Sequence, residues 1–155
     1  MQWLKNTPFH IICLLLSVAL LGIWHGRSGH SEFAGDLLTA VQNLHGERDQ
    51  LKVSRITRFG WDRMFVFPPY TPAAEISKVL GKPVPASITK FGIDERDDIN
   101  LLVFLNGQSV VEVSPVPRNA VDIVVGLVGM SLDANNAVFA KASAGNILAL
   151  AALKE

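Results

Sequence analysis

The sequence predicts an α+β fold in which an antiparallel sheet of about four to six strands packs with two or three helices behind an N-terminal apolar anchor helix. Three observations predict it: an apolar run near the N-terminus, a strand-turn-helix stretch from Phe59 to Gly81, and a hairpin pattern around Asn106-Gly107. The chain has 155 residues, 49% of them hydrophobic, which is enough for one core and an appendage. We therefore divide it into residues 1–30, the anchor and its linker, and residues 31–155, a single α+β domain.

The N-terminal apolar run extends from Phe9 to Trp24 and reads FHIICLLLSVALLGIW. As a helix it spans roughly 24 Å, which suits one membrane span when its flanking tryptophans lie at the interfaces. No small-residue cleavage pattern follows it, which favours an uncleaved signal anchor; the alternative is a secreted or periplasmic protein after signal cleavage. Residues 9–24 thus predict that the chain contacts the membrane and that it is located in the bacterial inner membrane. The chain is expected to cross the membrane once and to place its domain on the extracytoplasmic side.

The stretch from Phe59 to Gly81 has the pattern of a strand followed by a capped helix. Aromatic residues recur with a period of two over 59–67, which predicts a strand, and Pro68 and Pro69 end it because they cannot donate to a sheet ladder. Thr71 is the expected N-cap and Pro72 the first helical residue, so we predict a helix over 72–80. The alternating aromatic residues are Phe59, Trp61, Phe65 and Phe67.

The remaining elements follow from apolar spacing and turn residues. Apolar residues at helical spacing predict a helix from about Phe33 to Leu44, ended by Gly46, and Ile88 to Ile93 is expected to be a short extended piece. The segments INLLVFL and QSVVEV flank Asn106-Gly107, which predicts a hairpin with a type I′ turn. Residues 120–130 are expected to form a helix or loop covering the sheet, and 137–142 with 147–153 a final hairpin.

The charges and titratable residues exclude several classes of function. The formal net charge is zero, so no nucleic-acid partner is expected. Basic residues between 48 and 58 fit either a phosphate-binding strip or, as we favour, a strand with a solvated face, and the acidic cluster at 94–98 is expected to be a solvated turn. The sequence has no metal-ligand spacing, no Cys/His nucleophilic pair and no Gly-rich phosphate loop, so it predicts no catalytic residues, no metal and no cofactor.

The candidate binding residues are Trp61, Asp62, Tyr70 and Thr71, which flank the aromatic strand and its Pro-Pro stop. One hypothesis is that Trp61 and Tyr70 present a rigid amphipathic patch to a partner protein of the envelope. The alternative is that both aromatics anchor the core while Asp62 accepts hydrogen bonds from turn amides.

These residues also carry a resemblance. Trp61-Asp62, the strand FVF, Pro69-Tyr70-Thr71 with its helix, and then DDINLLVFLNGQSVVEV resemble a family of uncharacterised small bacterial envelope proteins that bear an N-terminal signal or anchor. The resemblance covers roughly residues 33–151 and is most specific at WD and PYT. It implies an envelope location and no particular mechanism.

The function expected from the sequence is therefore non-enzymatic binding at the envelope. Two alternatives remain open. One is an immunity or inhibitor protein that blocks a secreted toxin or enzyme, and the other is a hydrolase that uses carboxylates such as Asp62 and Asp122.

Overall fold

A computed structural model of the chain describes residues 30–46, 49–142 and 147–150. The apolar run from Phe9 to Trp24 lies outside these residues, and within them no helix has the length and hydrophobicity needed to cross a membrane. The described part is an α+β fold with three helices, which confirms the predicted class. The helices are α1 (His30–Gln42), α2 (Ala73–Leu80) and α3 (Ala86–Thr89).

Within the described residues seven strands form two sheets, where the sequence predicted one sheet. The three-stranded sheet has the order β2-β3-β4 and is antiparallel throughout. The four-stranded sheet has the order β1-β6-β7-β5, in which only β5 and β7 are parallel. The strands are β1 (Gln50–Lys52), β2 (Arg63–Phe67), β3 (Ile99–Asn106), β4 (Ser109–Pro117), β5 (Asp122–Val124), β6 (Val138–Lys141) and β7 (Ile147–Leu150).

The three-stranded sheet is buried on both faces. One face packs on α2 and α3, through residues such as Phe67, Leu101 and Ile76. The other face packs on α1 and on the four-stranded sheet, through residues such as Phe104 and Leu37. This two-sided burial explains why β3 is an almost continuous apolar run, since neither of its faces meets water.

The predicted C-terminal end of the helix in the strand-turn-helix stretch is confirmed, but its predicted N-cap is wrong. Gly81 ends α2 in a left-handed conformation with φ 67°, as a C-terminal glycine does. Pro72, not Thr71, is the N-cap, and no side chain caps the helix. The Thr71 hydroxyl instead donates to the Pro68 carbonyl at 2.6 Å, so it closes the turn that the two prolines make.

The strand that the aromatic alternation predicted over 59–67 is shorter than expected. The strand begins only at Arg63, and the chain before it bends, so the period of two does not extend back to Phe59. Phe65 and Phe67 pack toward α2 and α3, whereas Phe59 and Trp61 pack on the opposite side, against Phe104.

The central hairpin is confirmed, but its turn differs from the predicted type I′. Asn106 pairs with Ser109, so the two loop residues are Gly107 and Gln108. Only Gly107 has a positive φ, 57°, whereas a type I′ turn needs two such residues. A positive φ at the first loop residue alone is typical of a type II′ turn.

Two further expectations need correction. Residues 122–124 form β5, where a helix or loop was expected, because pairing with β7 overrides the weak local pattern of valines and glycines. Residues 125–130 are a loop, which was one of the two predicted alternatives. Residues 86–89 and 93–95 are helical turns, so no extended piece covers 88–93. The final hairpin is confirmed by the antiparallel pairing of β6 with β7, whose connection at 143–146 lies outside the described residues.

Candidate functional site

The predicted site residues lie at the two ends of β2. Trp61 and Asp62 precede the strand, and Tyr70 and Thr71 follow it, so about 17 Å of strand separates the pairs at 3.3 Å per residue. Trp61 is half-buried against Phe104, with ring centroids 5.4 Å apart, and its indole N–H donates to the Thr57 hydroxyl at 2.9 Å. Trp61 and Tyr70 therefore do not form one patch.

Asp62 holds the turn of the central hairpin. Its carboxylate accepts the Gly107 amide at 2.7 Å, while its own amide donates to the Leu105 carbonyl at 2.8 Å. The neighbouring Arg63 guanidinium donates to the Gly107 carbonyl. These contacts fit the expectation that Asp62 accepts hydrogen bonds from turn amides.

Tyr70 is the exposed aromatic member of the predicted set. It is 60% exposed, and it is the only residue other than glycine with a positive φ, 60°, in the described part of the chain. Its amide donates to the carbonyls of Ile93 and Arg96 at 2.9 and 3.2 Å, which ties the turn to the acidic segment. In that segment the Arg96 guanidinium hydrogen-bonds Asp98 and lowers the pKa of its carboxyl.

Asp62 and Asp122 do not make a cooperating carboxylate pair. Asp62 lies beside Leu105, whereas Asp122 accepts a hydrogen bond at 2.9 Å from Asn100, near the other end of β3. Arg118 donates to both carboxylate oxygens of Asp122, at 2.9 and 2.8 Å. This contact, helped by Asn100 and opposed by partial burial, lowers the pKa of Asp122.

Among the described residues, a concave site lies between α1, the segment 56–59 and β4, with a volume of about 310 Å³. We call it the α1–β4 cleft. Its volume is at the lower end of the range for small-ligand pockets. Phe33 and Phe59 make an edge-to-face pair with centroids 6.1 Å apart, and both rings also contact Phe104 edge-to-face. The cleft is lined by Glu32, Phe33, Asp36, Ile56, Arg58, Phe59, Val111 and Glu112.

A β-bulge in β4 aims two consecutive side chains at this cleft. The pairing runs from Phe104 with Glu112 to Leu105 with Val110, so Val111 is the extra residue. Strict alternation would have placed Val111 on the opposite face from Glu112, but in the structure both line the cleft. Glu112 is only 4% exposed and lies across from Phe104, on a sheet face that is otherwise mainly apolar.

The cleft has an acidic lining. Among the described lining residues, Glu32, Asp36 and Glu112 supply carboxylates and Arg58 supplies a guanidinium, which lies 3.1 Å from each carboxylate oxygen of Asp36. Arg58 is 72% exposed, so this ion pair lies at the rim and is weak. One of the predicted basic residues thus pairs with α1, and its neighbour Arg55 lines a shallower depression alongside. Across residues 30–46, 49–142 and 147–150, no group of three or more His, Cys, Asp or Glu side chains is placed to hold a metal ion.

The sequence reasoning missed Glu112 and the cleft. The one signal in the sequence was a glutamate inside the apolar segment QSVVEV. Whether this glutamate faces the core or the solvent depends on the pairing register of the hairpin. The bulge decides that register, and no local pattern in the sequence marks it.

The comparisons with known proteins add no relative. The chain matches no protein-family model, and no curated protein or solved structure is significantly similar to it. The resemblance to a bacterial envelope family stays a prediction.

Proposed function

We propose that this chain is a membrane-anchored protein of the bacterial envelope whose extracytoplasmic domain is a non-enzymatic binding module, and that the α1–β4 cleft is its binding site. The observation that carries the proposal is the β4 bulge, which turns Val111 and the buried Glu112 together into a cleft with aromatic walls. Bulges are common beside functional sites because they re-aim side chains.

The anchor supports the membrane part of this proposal. The apolar run ends at Trp24 and α1 begins at His30, so the connecting segment can extend at most roughly 20 Å. The cleft includes Glu32 and Phe33 from the first turn of α1. A cleft beside the point where the anchor joins the domain would meet partners at or near the membrane surface.

Binding is favoured over hydrolysis by the geometry of the polar groups. The carboxylates named by the hydrolase hypothesis, Asp62 and Asp122, lie at opposite ends of β3 and are occupied by Gly107 and by Arg118 with Asn100. An inhibitor or immunity protein is one form that a binding module could take, and it would bind its target one to one.

The test is cross-linked capture by the tagged full-length chain from solubilised bacterial membranes, with Val111→Trp beside the wild type. Val111 is partly exposed, so the indole fills the cleft without entering the core. Val124→Trp is the matched control, since it makes the same change at an exposed position of β5 that does not line the cleft. We expect capture by the wild type and the control and its loss with Val111→Trp.

Equal capture by all three proteins would contradict the proposal. A further arm with Tyr70→Ala separates the two candidate surfaces. Loss of capture with Tyr70→Ala and not with Val111→Trp would move the binding site from the cleft to the aromatic turn.

A further inference from the structure

The loop that follows β5 carries two exposed apolar side chains at its turn, Leu127 and Val128, which we call the apolar tip. Residues 125–130 read VGLVGM, and no charged residue occurs from 123 to 132. Leu127 is 69% exposed and Val128 42%, and Leu127 is the most exposed large hydrophobic side chain among the described residues. Single exposed apolar side chains are ordinary, whereas contiguous ones mark contacts with proteins or membranes.

The fold holds the apolar tip outward. The Met130 amide donates to the Leu127 carbonyl at 3.2 Å, which closes a turn in which Gly129 has a φ of 78°. Val125 and Met130, on either side of the tip, pack against the core that α1 shares with the two sheets. Gly129 lies so close to α2 that an added Cβ atom would be 2.5 Å from the Val79 side chain. The tip is therefore presented by a packed turn.

The size of the apolar tip restricts what can cover it. Each partner in a stable protein–protein interface buries roughly 800 Å², far more than two aliphatic side chains provide. A lipid bilayer sets no such requirement when the protein is already tethered to it, because the tether supplies a high effective concentration of lipid.

We propose that the apolar tip enters the bilayer at the boundary between the lipid headgroups and the acyl chains. This inference rests on the anchor of the proposed function and goes beyond it by naming the face of the domain that meets the lipid. The segment 25–29 extends at most roughly 20 Å. A compact domain of about 120 residues has a radius of gyration of about 14 Å, so the tether is long enough for the domain to turn its tip to the bilayer.

An interfacial depth suits both the side chains and the backbone of this loop. Leucine and valine transfer favourably from water into the bilayer. The backbone N–H and C=O groups of a turn are costly deep in the hydrocarbon, where no water reaches them. The side chains of the tip therefore enter the acyl region while the turn itself stays among the headgroups.

The test is nitroxide quenching in liposomes of phosphatidylethanolamine and phosphatidylglycerol that hold the full-length chain. The single cysteine is removed by Cys13→Ser, and Leu127→Cys then carries a nitrobenzoxadiazole fluorophore. Lipids with a nitroxide high on the acyl chain quench a fluorophore that lies among them. We expect at least about twofold lower fluorescence with the nitroxide lipid than without it, and no such loss for the same label on Val111→Cys.

A charge in the apolar tip gives a second measurement. Val128→Asp places a carboxylate where the acyl chains would have to accommodate it, so it should abolish the quenching at position 127. Val111→Asp is the matched control, because it makes the same change at a valine of similar exposure, 37%, outside the loop. It should leave the quenching at position 127 unchanged.

Unquenched fluorescence at position 127, equal quenching at 127 and 111, or quenching that survives Val128→Asp would each overturn the lipid contact. Shielding of the label that depends on the number of chains in each liposome, and not on the nitroxide lipid, would assign the tip to a second copy of the chain and would overturn the proposal too.

Flotation separates this inference from the proposed function. Liposomes that float without the chain would overturn the anchor, and with it both the lipid contact and the membrane part of that function. A chain that floats with the liposomes but is not quenched at position 127 would overturn the lipid contact alone.

Discussion

At the residue scale, Tyr70 combines a strained backbone with an exposed ring. Its φ of 60° lies in the left-handed region, which is unfavourable for a residue with a Cβ atom. Two hydrogen bonds from its amide, to Ile93 and Arg96, hold the residue there. Because the ring is largely exposed, packing does not explain why a tyrosine occupies a position that suits glycine.

We predict that Tyr70→Gly is more stable than Tyr70→Ala by about 1 kcal/mol. Both variants lose the same exposed ring, but only glycine relieves the positive φ. Urea unfolding of the two proteins measures the difference. An alanine variant as stable as the glycine variant would show that the turn is not held in the left-handed conformation.

Individual residues were predicted with mixed success. The role of Asp62 as an acceptor for turn amides was one of two alternatives, and its contact with Gly107 supports that one. Thr71 was wrong as a helix cap because its hydroxyl serves the local turn of Pro68, a competition that the sequence alone does not resolve.

At the element scale, the turn of the central hairpin makes polar contacts with three neighbouring segments. Asp62 binds the Gly107 amide, Arg63 binds the Gly107 carbonyl, and the Lys82 ammonium donates to the Gln108 carbonyl. The turn therefore couples the start of β2, the end of α2 and the β3–β4 connection.

We predict that Gly107→Ala lowers the free energy of unfolding by about 1–2 kcal/mol. A Cβ atom added there would meet nothing within 4 Å, so the cost is that of the positive φ alone. Gly126→Ala is the matched control, because it too has open space and has no positive φ, and it should cause no loss of stability. Equal stability of the two variants in thermal or urea unfolding would contradict this account of the turn.

Elements with strong local signals were predicted well. The helix over 72–80 and the hairpin at Asn106-Gly107 are marked by prolines and glycines, which act within a few residues. β5 was missed because its partner β7 lies about 25 residues further along the chain, beyond any local pattern. The bulge at Val111 was missed for a similar reason, since it is a property of the β3–β4 pairing.

At the scale of the whole molecule, one polar cluster links the two sheets. Asn100, on β3 of the three-stranded sheet, is buried and donates to Asp122 on β5 of the four-stranded sheet. Arg118 binds the same carboxylate and also donates to the Asp97 carbonyl. The sequence predicted a single sheet, so it did not predict a polar contact between two sheets.

We predict that this link makes stability fall in acid. The pKa of Asp122 is lowered in the folded chain, chiefly by Arg118, from the value of about 4 expected for an unfolded aspartate. The stabilisation is therefore present above about pH 4 and is lost as the pH falls through the lower, folded pKa. Asp122→Asn should lose about 1 kcal/mol at pH 7 and show a smaller decrease between pH 7 and pH 3.

Urea unfolding at the two pH values measures this effect, with the exposed Asp94→Asn as the matched control. Asp122→Ala should cost more than Asp122→Asn, by about 1–3 kcal/mol, because it also leaves the buried Asn100 amide without its acceptor. An identical pH dependence for Asp122→Asn and the wild type would contradict the prediction.

The order β1-β6-β7-β5 has a consequence for the synthesis of the chain. Leu51 in β1 pairs with Phe139 in β6, a partner about 90 residues later. As the chain leaves the ribosome, β2, β3 and β4 can pair with one another before β6, the partner of β1, has been synthesised. The larger sheet therefore closes only after β6 and β7 have been translated, and a nascent chain that stalls before Val138 exposes the apolar face of its finished hairpin.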